Sequence, residues 1–341
     1  MSQKKIGVWF PAVRAGTGAD FFTLCLAEAL RKRDIRTEIS WLPARAEYFP
    51  WSVTVPDCPD WASVVHTNSW LSQRFVPNNL PVVTTFHSSI YDPILAKYKN
   101  FLQALYHRLW VRRLERKSVR SANIVTAVSE YAATQAKKAF HCAQVETIYN
   151  WVDIEKFSPP DQREQHNPFR LLFVGNVSRR LKGADLLAPI MELLGSDYEL
   201  RITGKLADIP VQGTLPLNIV ELGYLRSKQE MVAAYQECDV FLFPSRLEGL
   251  SLSVLEAQSC GLPVVATNAS SLPEAVGNNI SGFLCPLDDV NAFADAVRHL
   301  RREQELWRGM TIAARSRVEK HFNESEALKK YIDIYSQLIN K

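Results

Sequence analysis

Nowhere does this sequence approach the roughly 20 consecutive apolar residues that a membrane-crossing helix requires, and none of its six cysteines stands in a C-x-x-C pair. The first absence argues against a spanning helix, the second against a zinc site or a dithiol redox centre. The cysteines are scattered, several inside apolar runs, and read as reduced, mostly buried thiols of a reducing compartment. A complete dinucleotide G-x-G-x-x-G is missing as well; the nearest approach is Ala15-Gly-Thr-Gly-Ala-Asp20. At the amino end, Met-Ser-Gln-Lys-Lys is followed only by Ile6–Phe10 before Pro11 and Arg14 intervene, too short a core for a signal peptide. Together these gaps lead us to expect a cytoplasmic protein, or one peripheral on the cytoplasmic face of a membrane.

What is present suffices for two cores. The 341 residues are 47% hydrophobic with ordinary charge, which suits two compact domains and argues against wholesale disorder. Charge is unevenly divided: residues 1–155 hold 19 Lys and Arg against 13 Asp and Glu, residues 156–341 hold 21 against 23. A basic front half suits an anionic partner such as a membrane surface or a phosphorylated substrate, and equally an ordinary solvated surface.

Short β-branched apolar runs alternate with helix-length segments. In the front half they are Ile6–Phe10, Glu38–Leu42, Ser63–His66, Pro81–His87, Asn123–Val128 and Val145–Tyr149. In the back half they are Arg170–Val174, Glu199–Thr203, Ile219–Leu222, Val240–Pro244, Pro263–Thr267 and Gly282–Cys285. Apolar strands separated by amphipathic segments indicate parallel sheets covered by helices on both faces. The pattern restarts near residue 168, after the polar, proline-bearing Ser158–Pro168, which reads as a linker. The expected fold class is therefore α/β, with two Rossmann-like domains whose parallel sheets face across a cleft. We place them at 1–160 and 161–341; the last helix, about 325–341, is a candidate to pack back on the first. In such sheets ligands bind beyond the carboxyl ends of the strands.

The most informative stretch runs from Pro244 to Thr267. A strand ends at Pro244, a loop carries Glu248 and Gly249, and a helix opens near Ser251 and closes at Gly261. Gly249 allows the backbone close to a ligand, and the helix amino end offers N–H groups and a positive dipole end suited to a diphosphate. Glu256, one to two turns into the helix, could accept two hydrogen bonds from a ribose diol. Taken singly, Glu248 would read as a capping or surface acid and Glu256 as a solvated one. A second stretch, Phe173–Leu187, is a strand followed by a loop with Arg179, Arg180 and Lys182, cations able to stabilise a departing nucleoside diphosphate in place of a metal.

The 244–267 string resembles the signature of the retaining GT-B glycosyltransferases of family 4 (glycosyl transferases group 1), two glutamates separated by seven residues. The resemblance implies that Glu248 contacts the transferring sugar, that Glu256 holds the nucleotide ribose, and that the backbone at Leu250 and Ser251, after Gly249, contacts the diphosphate. Leu272–Val276, Gly282–Leu287, Ile148–Asp153 and Ala127–Glu130 resemble further elements in family order, so the likeness covers nearly the whole chain. Lys182-Gly183 matches a lysine–glycine element that steadies the leaving group, whereas Asn176 stands where many members carry arginine; either Arg179 or Arg180 could supply the second cation. His87, ending the Val82–Phe86 run, matches a histidine near the transferring sugar or acceptor. His66 reads as structural or as a support one layer behind the site, and Asn68 replaces a second histidine of many relatives. Gly16 and Gly18 are candidate contacts near the donor phosphates, with plain turn chemistry equally plausible. The base is expected near Thr203-Gly204-Lys205 and Gly223-Tyr224.

The function implied is metal-independent, retaining transfer of a sugar from a nucleotide-sugar to a hydroxyl of a glycan or lipid-linked acceptor, in lipopolysaccharide or other cell-surface polysaccharide synthesis. No cofactor, metal or nucleic acid is expected. The alternative is a catalytically inactive nucleotide-sugar-binding partner of another transferase, motivated by Asn68 and Asn176; a phosphorylase or epimerase on the same fold is a weaker rival. Finally, Lys97–Arg120 carries eight cations and one acid, Glu115, among Phe101, Leu102, Leu105, Leu109, Trp110 and Leu114. It reads as a basic amphipathic helix that could rest on an anionic membrane, or as a core-facing helix with a solvated basic face.

Overall fold

The computed structural model describes residues 5–142, 144–211 and 213–340. The chain divides into two compact units, Met1–Asn150 with Glu324–Lys341, and Trp151–Asn323. All twelve apolar runs form strands, and every strand pairing is parallel.

In the first unit, β1 (Gly7–Val13), β2 (Arg36–Leu42), β3 (Val64–Asn68), β4 (Val82–Phe86), β5 (Ile124–Ala127) and β6 (Glu146–Thr147) form one sheet in the order β2-β1-β3-β4-β5-β6. Val8, Phe10, Val64, Val65 and Val83 are buried, as a sheet covered on both faces demands. β1 runs on through Pro11, where the sequence suggested a break. Proline lacks a donor, but β1 pairs with β3 only at Val8 and Trp9, so Pro11 removes no bond from that ladder. The order reverses between β1 and β3, the topological switch point where such sheets bind ligands. His66 on β3 is buried: Nε2 meets Thr85 Oγ1 at 2.7 Å and Nδ1 meets Tyr335 Oη at 2.5 Å. It joins two strands to the Glu324–Ile339 helix and has the structural role expected of it.

In the second unit, β7 (Phe169–Phe173), β8 (Tyr198–Thr203), β9 (Ile219–Gly223), β10 (Val240–Phe243), β11 (Val264–Thr267) and β12 (Gly282–Cys285) form a sheet in the order β12-β11-β10-β7-β8-β9. Relabelled within the unit this is 3-2-1-4-5-6, the order of dinucleotide-binding folds, with its switch point between β7 and β10. The central strands are wholly apolar inside, and Phe173, Phe241 and Phe243 are stacked beneath the switch point.

The stretch 158–168, read from composition as a linker, is part of this second unit. Arg163 donates from Nη1 to the Cys238 carbonyl at 2.5 Å and from Nη2 to that of Cys260 at 2.9 Å. Buried Asp239 accepts from His166 Nδ1 at 2.9 Å and from the Arg170 amide at 2.7 Å. Proline and polar residues marked a segment without regular structure; that it is nonetheless fastened down depends on partners 70 or more residues away.

Candidate active site

Two loops leave the switch point of the second unit, one from β7 and one from β10. The β7 loop turns at Arg180–Lys182 and enters the Ala184–Leu194 helix through Gly183, whose φ is +74°. A Cβ on Gly183 would lie 2.1 Å from the Pro244 carbonyl oxygen, so only glycine lets the two loops touch here, by shape as well as by torsion. The β10 loop, Pro244–Leu250, is buried along almost its whole length, unusual for a connection.

That contact brings Lys182 Nζ to 2.6 Å from Glu248 Oε1. The same oxygen accepts from Ser245 Oγ at 2.6 Å, while the Glu248 backbone is pinned by Ser270 and Ser271 hydroxyls at 3.0 and 3.1 Å. Glu248 is thus a buried, fixed carboxylate rather than a surface or capping acid. Beside it the Leu252–Ser259 helix begins. Ser251 is its N-cap residue yet makes no side-chain capping bond, and no acid lies in the first turn. The positive end of this helix is therefore not offset by a side chain of its own, the condition an anion site needs.

The loops are locked by Arg246, which sequence reasoning passed over. Its guanidinium, almost fully buried, grips both oxygens of Asp185 at 2.6 and 3.0 Å, meets Asp288 at 2.5 Å, and donates to the Arg180 carbonyl. A loop arginine reads as surface charge until its burial is known; only its place two residues before Glu248 hinted otherwise. Arg179 and Arg180 are exposed, and among the described residues neither side chain pairs with a carboxylate, which leaves both cations on the loop surface.

Glu256 is not simply solvated. Tyr235 Oη donates to its Oε2 at 2.9 Å, and burial pushes its pKa up to about 7, against the opposing pull of that hydrogen bond. Tyr235 also escaped notice, since a helical tyrosine in an apolar segment looks like core. At the next strand ends, Gly204 (φ +102°) donates its amide to the Gly223 carbonyl at 2.8 Å, and Thr203 Oγ1 accepts from the Gly175 amide at 3.3 Å. Tyr224 follows with its ring largely exposed. The structure thus gathers Lys182, Glu248, Gly249, Leu250 and Ser251 at the switch point, with Gly204 and Tyr224 at the ends of the adjoining strands β8 and β9.

In the first unit, His87 follows the end of β4. Its Nε2 lies 2.9 Å from Asn68 Oδ1, and the Asn68 amide nitrogen donates to Thr23 Oγ1 at 3.2 Å, so Asn68 presents its oxygen to the histidine. His87 is therefore protonated at Nε2 and offers Nδ1 as an acceptor. Burial pulls its pKa down to about 4, despite the nearby Asp20 carboxylate. The glycine loop closes on itself: Asp20 Oδ2 accepts from the Ala15 and Gly16 amides at 2.8 and 2.7 Å. Gly16 needs its positive φ of 69°; Gly18 opens the helix with free space about it.

Comparison with known proteins places the chain in a family. Residues 168–303 match the model for glycosyl transferases group 1, and residues 59–156 that for glycosyltransferase family 4. The two matches take in well over half of the chain, which belongs to this family and has the GT-B fold. Among curated relatives, the amylovoran biosynthesis glycosyltransferase AmsK of Erwinia amylovora is 29% identical over 202 residues, 55% of this chain and 49% of that protein. The chain spans about half the length of the first curated relatives it matches. Among solved structures, sucrose-phosphate synthase from Thermosynechococcus elongatus aligns with a TM-score of 0.80 at 16% identity, over 98% of this chain and 100% of that one. HepE of Anabaena, solved in complex with UDP and glucose, aligns with a TM-score of 0.73 at 16% identity, over 98% and 100%.

Proposed function

We propose that this chain transfers a sugar from a nucleotide-sugar donor to a hydroxyl of a glycan or lipid-linked acceptor, with retention of configuration and without a metal. The observation that carries the reading is the Lys182–Glu248 pair beside an uncapped helix amino end, at the switch point of a sheet with dinucleotide-fold order. The donor diphosphate lies on the Gly249–Ser251 backbone, Glu256 accepts from the ribose, and the base sits by Gly204 and Tyr224. Lys182, held ready on Glu248, turns to a phosphate oxygen, with Arg179 or Arg180 as second cation.

As the anomeric C–O bond breaks, its electron pair passes to the diphosphate. Cations and helix dipole stabilise that charge, the role a metal fills elsewhere. The acceptor oxygen attacks from the same face, and its proton goes to the leaving phosphate. In the second unit Glu248 is an acceptor for a hydroxyl of the donor sugar; in the first unit, taken by itself, the Nδ1 of His87 is an acceptor for a sugar hydroxyl, and Gly16 and Gly18 are candidate ligand contacts. The name of the AmsK relative, amylovoran biosynthesis, supports a cell-surface polysaccharide as the product class.

A thermal-shift panel of nucleoside diphosphates and nucleotide-sugars, run with and without EDTA, tests this. Binding stabilises the fold by mass action, so the true donor raises the melting temperature most, whether or not EDTA is present. No shift with any member would refute the reading. Binding without donor turnover, even with acceptor extracts, would identify an inactive partner instead.

A further inference from the structure

Residues 101–121 of the first unit form one helical run: Phe101–Tyr106, a π turn at His107–Val111, and Arg112–Ser121. Its two halves differ. The amino half is apolar and uncovered: Phe101 is 79% exposed, Leu102 74%, and Leu105 and Leu109 are exposed beside them. Spaced i, i+1, i+4 and i+8, they share one face. Two neighbours extend it. Tyr48 packs on Tyr106 and Trp51 on Trp110, with ring centroids 5.5 and 5.7 Å apart, which brings Phe49 and Trp51, both more than half exposed, to the same surface. A contiguous aromatic and leucine patch of this kind is not ordinary solvated surface.

The carboxyl half is cationic. Arg113, Arg116, Lys117 and Arg120 follow i, i+3, i+4 and i+7, line an open recess of about 380 Å³, and have no carboxylate partner among the described residues. The one acid of the stretch, Glu115, points inward. It is fully buried, accepts from Trp70 Nε1 at 2.7 Å and Ser69 Oγ at 3.3 Å, and burial pushes its pKa up to about 8. It takes no positive charge off the surface.

We infer that this face docks on an anionic lipid bilayer, its leucines and aromatic rings entering the headgroup–acyl boundary and the four cations resting on phosphate headgroups. Apolar side chains continuous with unpaired cations match a surface that is itself apolar beneath and anionic above. Nucleic acid offers nothing for three exposed leucines, and a protein partner would have to supply matching carboxylates. No helix among the described residues is long and apolar enough to cross a membrane, so contact of this kind would be interfacial. The inference stands on the first unit alone and does not depend on the donor assignment.

Co-sedimentation with vesicles of phosphatidylcholine alone, and of phosphatidylcholine mixed with phosphatidylglycerol, tests it. The wild-type chain should prefer the anionic vesicles by about tenfold or more at roughly 0.1 M salt. A variant with Arg113→Ser, Arg116→Ser, Lys117→Ser and Arg120→Ser should lose that preference. A variant with Phe101→Ser, Leu102→Ser and Leu105→Ser should bind anionic vesicles about tenfold more weakly and be fully released at high salt. All these side chains are on the surface, and circular dichroism with the donor thermal shift verifies that each variant is folded. Absence of wild-type binding to anionic vesicles would overturn the inference, as would unchanged binding by both variants. So would a concentration-dependent dimer that the apolar variant abolishes while vesicle binding persists.

Discussion

Arg246 and Asp185, 61 residues apart in the chain, meet as a fork on a fork, Nη1 to Oδ1 at 2.6 Å and Nη2 to Oδ2 at 3.0 Å. Asp185 opens the helix after the β7 loop and Arg246 lies in the β10 loop, so this pair decides how Lys182 and Glu248 face one another. Lysine cannot reproduce two parallel bonds. Arg246→Lys should lower turnover by about tenfold or more through a misplaced Lys182. Steady-state kinetics checks this. Arg246→Ala, which removes a buried guanidinium and leaves half-buried Asp185 and exposed Asp288 unpaired, should in addition destabilise by about 1–3 kcal/mol in denaturant titrations.

Lys182→Ala should cut transfer well over tenfold, since the proposed function makes this lysine a cation on the leaving group. Because it also leaves Glu248 without its cation, the double variant Lys182→Ala, Glu248→Gln separates the effects. Thermal stability should return in the double variant while turnover stays low. Recovery of turnover along with stability would show that the lysine merely supports the glutamate.

On the proposed function, Glu256 ties donor affinity to pH. Burial holds its folded pKa at about 7, above the ordinary 4.5. A ribose diol needs the ionised carboxylate as acceptor. Affinity for the nucleoside diphosphate should therefore rise as pH passes upward through about 7, and Glu256→Gln should flatten that rise and weaken binding. Calorimetry at pH 6 and 8 on both proteins isolates this effect from ionisation of the phosphate itself. The sign for stability is opposite: the folded state holds the proton longer, so this group's contribution declines as pH rises from 4.5 to 7.

Burial depresses two histidines of the first unit, His66 to about 3 and His87 to about 4, from the ordinary 6.5. Between those values the unfolded chain binds more protons than the folded one. Stability is then full above pH 6.5 and declines as pH falls toward 4, with each histidine contributing on the order of 1.4 kcal/mol per pH unit in that window. Urea unfolding at pH 7.5 and 5, compared between wild type and His87→Gln, isolates the histidine share, because the raised carboxyls Glu115 and Glu256 act with the opposite sign. Asn68→Asp, a carboxylate against Nε2, should raise the His87 pKa, readable by NMR titration of the ring.

Gly183→Ala should be costly despite adding one methyl group. It meets a left-handed torsion and the Pro244 carbonyl together, so one of the two loops must retreat. We expect lower melting temperature and lower turnover. Gly18→Ala, with nothing within 4 Å of its Cβ position, is the matched control and should fold normally.

Much of this was legible in advance. The central strands could be read because a strand buried on both faces advertises itself locally, in four to seven successive residues. Glu248 and Glu256 stood out only through the resemblance carried by the whole 244–267 string, and Lys182 through the lysine–glycine element of a loop dense in cations. Arg246, Tyr235 and Asp185 did not, since an arginine in a loop, a tyrosine in a helix and an aspartate after a glycine have common bland uses. The linker reading of 158–168 missed for a related reason: composition reports the lack of regular structure, not whether distant carbonyls hold a segment down.

The sequence by itself determined two parallel sheets, their switch-point loops and the residue types available there, because these follow from local periodicity and backbone freedom. Tertiary structure alone decided which cation meets which carboxylate, which nitrogen of His87 carries the proton, and that Phe101, Leu102, Leu105 and Leu109 stay uncovered. Those outcomes rest on packing between segments tens of residues apart, where a shift of a few ångströms changes the partner without altering any local pattern.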